Sequence, residues 1–152
     1  MVERLDPART VGIDLLFDDE ATKRRVLATN PATRADMRDA AHALFAKDGK
    51  PVSVIRDSGG FVTQRVVAHM VNIASDICQQ QICTPTDLEL AVTLGLGYPM
   101  GPLAMGDLLG PDNVLETLFN LQTVYGDPRY RPSPWLRRRG AIGLSLQHTE
   151  SI

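Results

Sequence analysis

Apolar residues recur at helical spacing from Phe61 to Gln80, and they fall on more than one side of the helix that this spacing predicts. One set is Val62, Val66, Ile73 and Ile77, and the other is Phe61, Ala68 and Val71. A helix that is apolar over much of its circumference must be covered on both sides. We therefore predict that the chain self-associates through this helix, with Ala68 and Val71 at the contact between two copies.

Capping and turn residues mark where further helices begin and end. Thr84 is a candidate N-cap, and Pro85 suits the first turn of the helix that follows it. Another helix is predicted from Pro111 to the residue before Gly126, and a short one around Trp135–Arg139. Together with the long helix, these elements predict a compact helical bundle.

The chain before residue 56 has shorter apolar runs that are rich in β-branched residues. The predicted strands are Thr10–Phe17, Arg25–Thr29 and Pro51–Ile55. A helix between the last two has Thr33 as its candidate N-cap and Gly49 as its end. This β-β-α-β order is half of an α/β sheet, which leaves edges and one face uncovered.

The fold class that follows is mainly α, with a partial α/β segment at the N-terminus. We predict an incomplete α/β segment over residues 1–56, a helical domain over residues 57–146 and a tail over residues 147–152.

Glycines and prolines alternate between Leu94 and Gly110, and this alternation predicts a buried corner between two helices. Gly95 stands where a helix C-terminus favours a left-handed residue, and Gly101 is the conformationally free position between flanking prolines. An acid among leucines must be hydrogen-bonded, so we expect Asp107 to brace the corner. The residues assigned to this structural corner are Gly95, Gly97, Pro99, Gly101, Pro102 and Asp107.

Composition narrows the function classes. With 152 residues, 43% of them hydrophobic, the chain can bury one good core and a small satellite. A net charge of −2 argues against binding to nucleic acid or to an anionic membrane, and Arg137–Arg139 is predicted to be a solvated helix end. No apolar run approaches the ~20 residues of a membrane span, and no signal-peptide core is present, so a cytoplasmic protein is expected.

Residues that could carry chemistry are few and scattered. The spacing of Cys78 and Cys83 fits no common metal site, so both are expected to be reduced and structural. His69 on the long helix has no acid partner in view and is expected to pack. Ser58 and Ser133 suit a turn and a cap better than catalysis. We therefore assign no catalytic residue and no metal ligand.

Three segments in order resemble the 3-hydroxyacyl-CoA dehydrogenases. The stretch Gly-Tyr-Pro-Met-Gly-Pro at residues 97–102, followed by Asp107, Gly110 and Asp112, resembles the hallmark of that family's C-terminal helical domain. The segments Asp57–Arg65 and Gly126–Leu136 are similar to the entry and the late loop of that domain. The ending at residues 140–146 looks more like the second module of bacterial enzymes that carry two.

The resemblance also shows what this chain lacks. The Gly-x-Gly-x-x-Gly fingerprint that places backbone amides on a dinucleotide is missing, and the glycines of residues 95–101 have the wrong spacing for it. Asp14 stands where the family has its histidine base, and Val26 where it has the glutamate that orients that histidine. The proton-transfer relay is therefore expected to be absent. NAD is expected only in the assembled enzyme, not on this chain alone.

The resemblance implies an accessory module of an NAD-dependent 3-hydroxyacyl-CoA dehydrogenase in fatty-acid or aromatic degradation. Its partners would be a second copy or a catalytic dehydrogenase module, with acyl-CoA as a possible ligand. Gln64 corresponds to the family's substrate-side asparagine, so Gln64 and Arg65 are the candidate substrate-binding residues. An acyl-CoA-binding module without chemistry, using Gln64 and the corner near Tyr98, is the alternative; a residual enzyme is the least favoured reading.

Overall fold

The computed structural model describes residues 5–16, 20 and 22–150. The chain divides into two compact units, Met1–Thr63 and Gln64–Ile152. The helical bundle and the small N-terminal sheet that the sequence predicts are both present.

The first unit contains strand β1 (Val11–Ile13), strand β2 (Arg25–Thr29), helix α1 (Ala35–Phe45) and strand β3 (Val52–Arg56), in that order. In the described part of the chain these strands form one sheet in the order β1-β2-β3. β1 pairs antiparallel with β2, and β2 pairs parallel with β3 across the α1 crossover. The predicted β-β-α-β order is confirmed.

Three boundaries in this unit differ from the sequence prediction. β1 covers Val11–Ile13 only, and Phe17 lies outside the described residues. Thr33 is not the N-cap of α1, because Arg34 holds that position; the Thr33 hydroxyl instead donates to the Thr10 carbonyl at 2.9 Å and accepts from the Asn30 amide at 3.0 Å. α1 ends at Phe45, and Gly49 follows in a turn with φ of +84°.

The second unit is helical. Its long helix α2 begins at the boundary between the units and spans Thr63–Gln79, followed by α3 (Pro85–Leu96), α4 (Pro102–Leu109), α5 (Pro111–Tyr125) and α6 (Pro134–Ile142). A 3₁₀ turn at Pro128–Tyr130 separates α5 from α6. The Thr84 hydroxyl accepts from the Asp87 amide and Gly126 ends α5 in a left-handed conformation, as predicted. The apolar core consists of Val67, Ala68, Val71, Ala74, Cys78, Leu88, Leu103, Val114, Leu118, Leu121, Tyr130, Trp135, Leu136 and Leu146.

The face of α2 that the sequence assigns to self-association is in fact the core face. Ala68 is 2% exposed and Val71 is fully buried, so neither can contact a second copy. The opposite set lies at the surface: Val62, Val66 and Ile73 are 52%, 49% and 47% exposed. Because α2 is apolar on both sides, its periodicity could not distinguish the buried side from the exposed one.

The corner between α3 and α4 also differs from the prediction. Gly95 lies inside α3, and Gly97, with φ of +68°, is the left-handed residue that ends this helix. Residues 94–99 are exposed, whereas residues 101–103 are buried, so only the second half of the corner belongs to the interior. Gly101 has φ of −72° and therefore needs no special backbone conformation.

The basic run Arg137–Arg139 in α6 is not uniformly solvated. Arg137 and Arg138 are exposed, but Arg139 is only 3% exposed and lies over the Trp135 ring, 3.1 Å from its centroid. Its guanidinium donates to the His148 carbonyl at 3.1 Å and pairs with the Glu150 carboxylate at 3.2 Å. Burial lowers the pKa of Arg139, and the hydrogen bond that Arg139 donates to Glu150 opposes that effect.

Candidate functional site

Asp14 and Val26, which the sequence resemblance aligns with the family's catalytic pair, lie side by side in the first unit. β1 and β2 are antiparallel neighbours, and the Asp14 amide donates to the Val26 carbonyl at 3.0 Å just beyond the last paired residues. The Asp14 carboxylate accepts from the Leu16 amide at 3.1 Å, which holds it in a local turn. The two positions are adjacent, but one of them carries an acid and the other a hydrocarbon.

A small cavity of about 160 Å³ opens at this pair. It is lined by Asp14, Leu16, Thr22, Lys23, Arg24, Val26 and Thr63. The described lining contains carboxylate, hydroxyl and cationic groups but no imidazole, which is the side chain best suited to accept a proton near neutral pH.

Another cavity of the first unit, of about 490 Å³, lies where two parallel strands end. Thr29 ends β2 and is followed by Asn30, and Arg56 ends β3 and is followed by Asp57. Open α/β sheets bind ligands outside the carboxyl ends of their strands. In this chain the Asp57 amide donates to the Thr29 carbonyl at 2.8 Å, so backbone pairing continues past the end of β3 between two residues that line the cavity.

Gln64 and Arg65, the candidate substrate-binding residues, are in the first turn of α2. The Arg65 guanidinium donates to the Tyr125 hydroxyl and lies 4.7 Å from the centroid of the same ring. Tyr125 and Tyr130 have their ring centroids 5.9 Å apart, and His69 contacts Tyr130 edge-on at 6.0 Å. His69 thus packs against a tyrosine, as the sequence suggested, and its buried Nδ1 has no hydrogen-bond partner among the described residues.

The corner is held by a residue that the sequence did not single out. The Glu89 carboxylate, projecting from α3, accepts from the Leu103 amide at 2.8 Å and from the Ala104 amide at 3.3 Å. It therefore caps α4, whose own N-cap residue Gly101 has no side chain to do so. A Cβ at Gly101 would stand 2.1 to 2.5 Å from the Glu89 carboxylate, which makes close approach the reason for this glycine.

Asp107 anchors the C-terminal segment rather than the α3–α4 corner. Its carboxylate accepts from the Leu146 amide at 2.7 Å, the Ser145 hydroxyl at 2.6 Å and the Gln147 side-chain amide at 3.2 Å. The Trp135 indole donates to the Leu146 carbonyl at 3.0 Å. Asp107 also lines a cavity of about 430 Å³ with Pro111, Asp112, Gly140, Gly143, Leu144 and Ser145.

The remaining sequence candidates are structural where the structure describes them. Ser133 caps α6 by accepting from the Trp135 amide at 3.3 Å, and the Ser58 carbonyl accepts from the Phe61 amide in a turn. Cys78 and Cys83 are both free thiols, and burial raises the pKa of Cys78 to about 11. Within the described ranges, no group of three His, Cys, Asp or Glu side chains could hold a metal ion, and no helix is long and apolar enough to cross a membrane.

Comparison with known families decides the assignment. Residues 60–150 match the model of the 3-hydroxyacyl-CoA dehydrogenase C-terminal domain. The chain belongs to the 3-hydroxyacyl-CoA dehydrogenase family. Residues 1–58 match the reduced Rossmann-fold domain of 3-hydroxybutyryl-CoA dehydrogenase, so the partial sheet is itself a recognised form within the family. The resemblance drawn from the sequence motifs is confirmed.

Relatives within the family include longer proteins. The chain is 42% identical over 96 residues to the 3-hydroxyadipyl-CoA dehydrogenase of Escherichia coli K12, covering 63% of this chain and 20% of that protein. It is 34% identical over 136 residues to a probable 3-hydroxybutyryl-CoA dehydrogenase of Bacillus subtilis, covering 87% and 46%. The crystal structure of 3-hydroxybutyryl-CoA dehydrogenase from E. coli K12 superposes with a TM-score of 0.77 at 36% identity, covering 87% of this chain and 27% of that one. The chain therefore spans between a fifth and about half of these relatives.

Proposed function

We propose that this chain is the C-terminal, accessory module of an NAD-dependent 3-hydroxyacyl-CoA dehydrogenase and is catalytically incomplete alone. In this role it supports oligomerisation and forms one wall of the acyl-CoA cleft during degradation of fatty or aromatic acyl-CoA intermediates in the cytoplasm. The relation to longer relatives supports the proposal, because 96 matched residues are only 20% of the E. coli 3-hydroxyadipyl-CoA dehydrogenase.

The observation that carries the proposal is the Asp14–Val26 pair. The resemblance puts a histidine base and its orienting glutamate at these positions, and the strand pairing keeps the two positions adjacent. A carboxylate is a weaker base than an imidazole at neutral pH, and valine cannot orient a neighbour by hydrogen bonding. The two positions are thus neighbours, but an aspartate and a valine cannot act as a base and its orienting partner.

The residues of this chain do not fit a dinucleotide. Pyrophosphate binding in this fold class needs a glycine-rich turn that follows a strand and opens a helix. Here the glycine-rich stretch at residues 95–101 lies at the end of one helix and before another. We therefore assign NAD to another module and route no step of hydride transfer through this chain.

Activity measurements test the catalytic part of the proposal. The purified chain should show neither NADH binding nor turnover of acetoacetyl-CoA above the buffer blank. Turnover that disappears in Asp14→Ala would contradict the proposal, since it would make Asp14 a working catalytic residue. A purified full-length dehydrogenase of the family, assayed alongside, is the positive control for substrate and cofactor.

The oligomerisation part rests on the exposed face of α2. Val66 and Ile73 lie on this face and are each about half exposed, as expected of an apolar surface that another protein covers. A two-fold contact would bury the same face of a second copy, and a catalytic module is the other occupant considered. Raising the salt concentration should not dissolve a contact of this apolar kind.

Light scattering on charge variants tests that surface. Val66→Asp should convert a dimer into a monomer with little change in the melting temperature, whereas Ile142→Asp, which adds the same charge at a side chain that is 72% exposed on α6, should leave the dimer intact. A chain that is monomeric at micromolar concentration, and that also fails to associate with a full-length dehydrogenase, would contradict this part of the proposal.

The alternative to an accessory module is a module that binds acyl-CoA without catalysing a reaction, and the side chain of Gln64 supports it. Its amide can still donate and accept as an asparagine would at this position, and its neighbour Arg65 is fixed by Tyr125. Calorimetric titration with acetoacetyl-CoA should show binding that Gln64→Ala weakens. Binding that is indifferent to Gln64→Ala would remove this residue from the cleft.

A further inference from the structure

The start of α2 is tied to the end of α5 by one side chain. Arg65 both donates a hydrogen bond to the Tyr125 hydroxyl and places its guanidinium 4.7 Å from the centre of the Tyr125 ring. A guanidinium can do both because it is planar, always charged and carries five donors. Tyr125 thus contacts Arg65 through its polar end and through its ring face.

A second side chain of α2 reaches the same group of rings. His69 is four residues after Arg65, so both side chains lie on one face of the helix. His69 contacts Tyr130 edge-on at 6.0 Å, and Tyr130 contacts Tyr125 at 5.9 Å. Tyr130 is only 7% exposed. Tyr125 is 45% exposed. The two tyrosines therefore form a ring pair, buried at Tyr130 and partly open at Tyr125, that contacts the first two turns of α2.

Local backbone structure fixes where these tyrosines stand. Tyr125 is the last residue of α5, which ends at Gly126 in a left-handed conformation with φ of +63°. The Asp127 carboxylate then accepts from the Arg129 amide at 2.9 Å and starts the 3₁₀ turn that ends at Tyr130. The two tyrosines thus stand at the ends of a helix and of a 3₁₀ turn rather than in a free loop.

We propose that Tyr125 is a positioning residue for acyl-CoA binding, acting through Arg65 on Gln64. The inference rests on the proposed role of Gln64 in the acyl-CoA cleft. Gln64 and Arg65 are consecutive in the first turn of α2, the part of a helix that frays most readily. Fixing Arg65 restricts that turn, so Gln64 loses less conformational freedom when a ligand binds. Tyr125 itself need not touch the ligand.

Substitutions at Tyr125 separate its two contacts. Tyr125→Phe keeps the ring and removes the hydroxyl, whereas Tyr125→Leu removes both. Thr123→Val is the matched control, because it removes a hydroxyl from the same end of α5, where it bonds the Phe119 carbonyl. For each variant, the dissociation constant of acetoacetyl-CoA, the melting temperature and the NMR signals of the Gln64 side-chain amide are measured.

We expect Tyr125→Phe to raise the dissociation constant about three- to tenfold and Tyr125→Leu to raise it further, since a hydrogen bond and a cation–π contact are lost in turn. The Gln64 amide signals should shift or broaden in both variants and stay unchanged in Thr123→Val. Arg65→Lys should behave like Tyr125→Phe, because it keeps the charge and loses the planar fork.

The outcomes separate this inference from the function on which it rests. If the wild-type chain binds no acetoacetyl-CoA, the acyl-CoA role fails, and the Gln64 amide signals alone then decide whether Tyr125 positions that residue. Gln64 signals that do not change in either tyrosine variant would overturn the inference. So would a lower melting temperature with unchanged Gln64 signals, since Tyr125 would then be a structural brace only.

Discussion

The two units of the chain differ in how much apolar side chain each buries. Leu27 is the only buried residue among those described in the first unit, and Leu15 and Leu44 are 73% and 66% exposed there. Every helix after α1 buries side chains in the second unit. A unit of about 60 residues buries a smaller fraction of its surface than a larger domain does, so the exposed leucines of the first unit are surface that further structure would cover. A module of a larger enzyme would meet that need.

The largest effect that tests this contrast is expected from the core of the second unit. Leu118→Ala removes a fully buried side chain and should lower the free energy of unfolding by about 2–5 kcal/mol. Leu44→Ala, in α1, should change it by no more than about 0.5 kcal/mol. Urea unfolding followed by fluorescence is suitable, because Trp135 is the only tryptophan of the sequence and lies in the second unit.

An equal loss of unfolding free energy in Leu118→Ala and Leu44→Ala would contradict the difference in burial between the two units. It would mean that α1 is covered as well as α5 in solution, for instance by a second copy of the chain.

Gly101→Ala should have the next largest effect, about 1–3 kcal/mol of destabilisation. The added Cβ would displace the Glu89 carboxylate, which caps the otherwise uncapped N-terminus of α4. Thermal melting of Gly101→Ala, of Glu89→Gln and of the double variant tests whether loss of the Glu89 cap explains the destabilisation. Because both changes act on one contact, their effects should not add. Additive effects would show that Gly101 is required for something other than Glu89.

A smaller effect, of opposite sign, is expected at Gly95. This residue lies inside α3 with no atom within 4 Å of an added Cβ, so Gly95→Ala should stabilise the chain by about 0.5–1 kcal/mol. Gly97→Ala should destabilise it by roughly 1 kcal/mol, since Gly97 is left-handed. Chemical denaturation of the two variants measures both signs. Destabilisation by Gly95→Ala would indicate that α3 ends at Gly95, as the sequence suggested.

These glycines also show how far the sequence could be used to predict the structure. Local signals gave the order of helices and strands, because a cap such as Thr84 or Gly126 acts within one turn. The sequence could not decide which of two nearby glycines, Gly95 or Gly97, ends α3. The buried face of α2, the burial of Arg139 and the partners of Asp107 depend on residues far along the chain. Asp107, for example, bonds residues 38 to 40 positions away, which no local pattern indicates.

The smallest effect is expected from an ion pair in the first unit. Arg25 on β2 forms two hydrogen bonds of 2.7 Å with the Asp48 carboxylate and also donates to the Phe45 carbonyl, which ties the end of α1 to the sheet. The hydrogen bonds from Arg25, and then that from the Lys50 amide, hold the pKa of Asp48 well below its usual range. A pKa that is lower in the folded chain than in the unfolded chain stabilises the fold where Asp48 is ionised in both. That contribution is therefore complete above the ordinary aspartate pKa of about 4 and is lost as the pH falls toward the folded value.

Asp48→Asn should consequently lower the melting temperature slightly at pH 7, and the difference from the wild-type chain should shrink as the pH falls below about 4. Arg25→Lys keeps the charge but loses the planar fork, so it should reproduce most of the effect at pH 7. Added salt should reduce the difference at pH 7, because Asp48 is exposed. A difference that is independent of pH would show that Asp48 acts as a neutral turn residue, through its hydrogen bond from Lys50, and not through its charge. The stabilising link between β2 and the end of α1 would then be the hydrogen bond from Arg25 to the Phe45 carbonyl, and not the charge of Asp48.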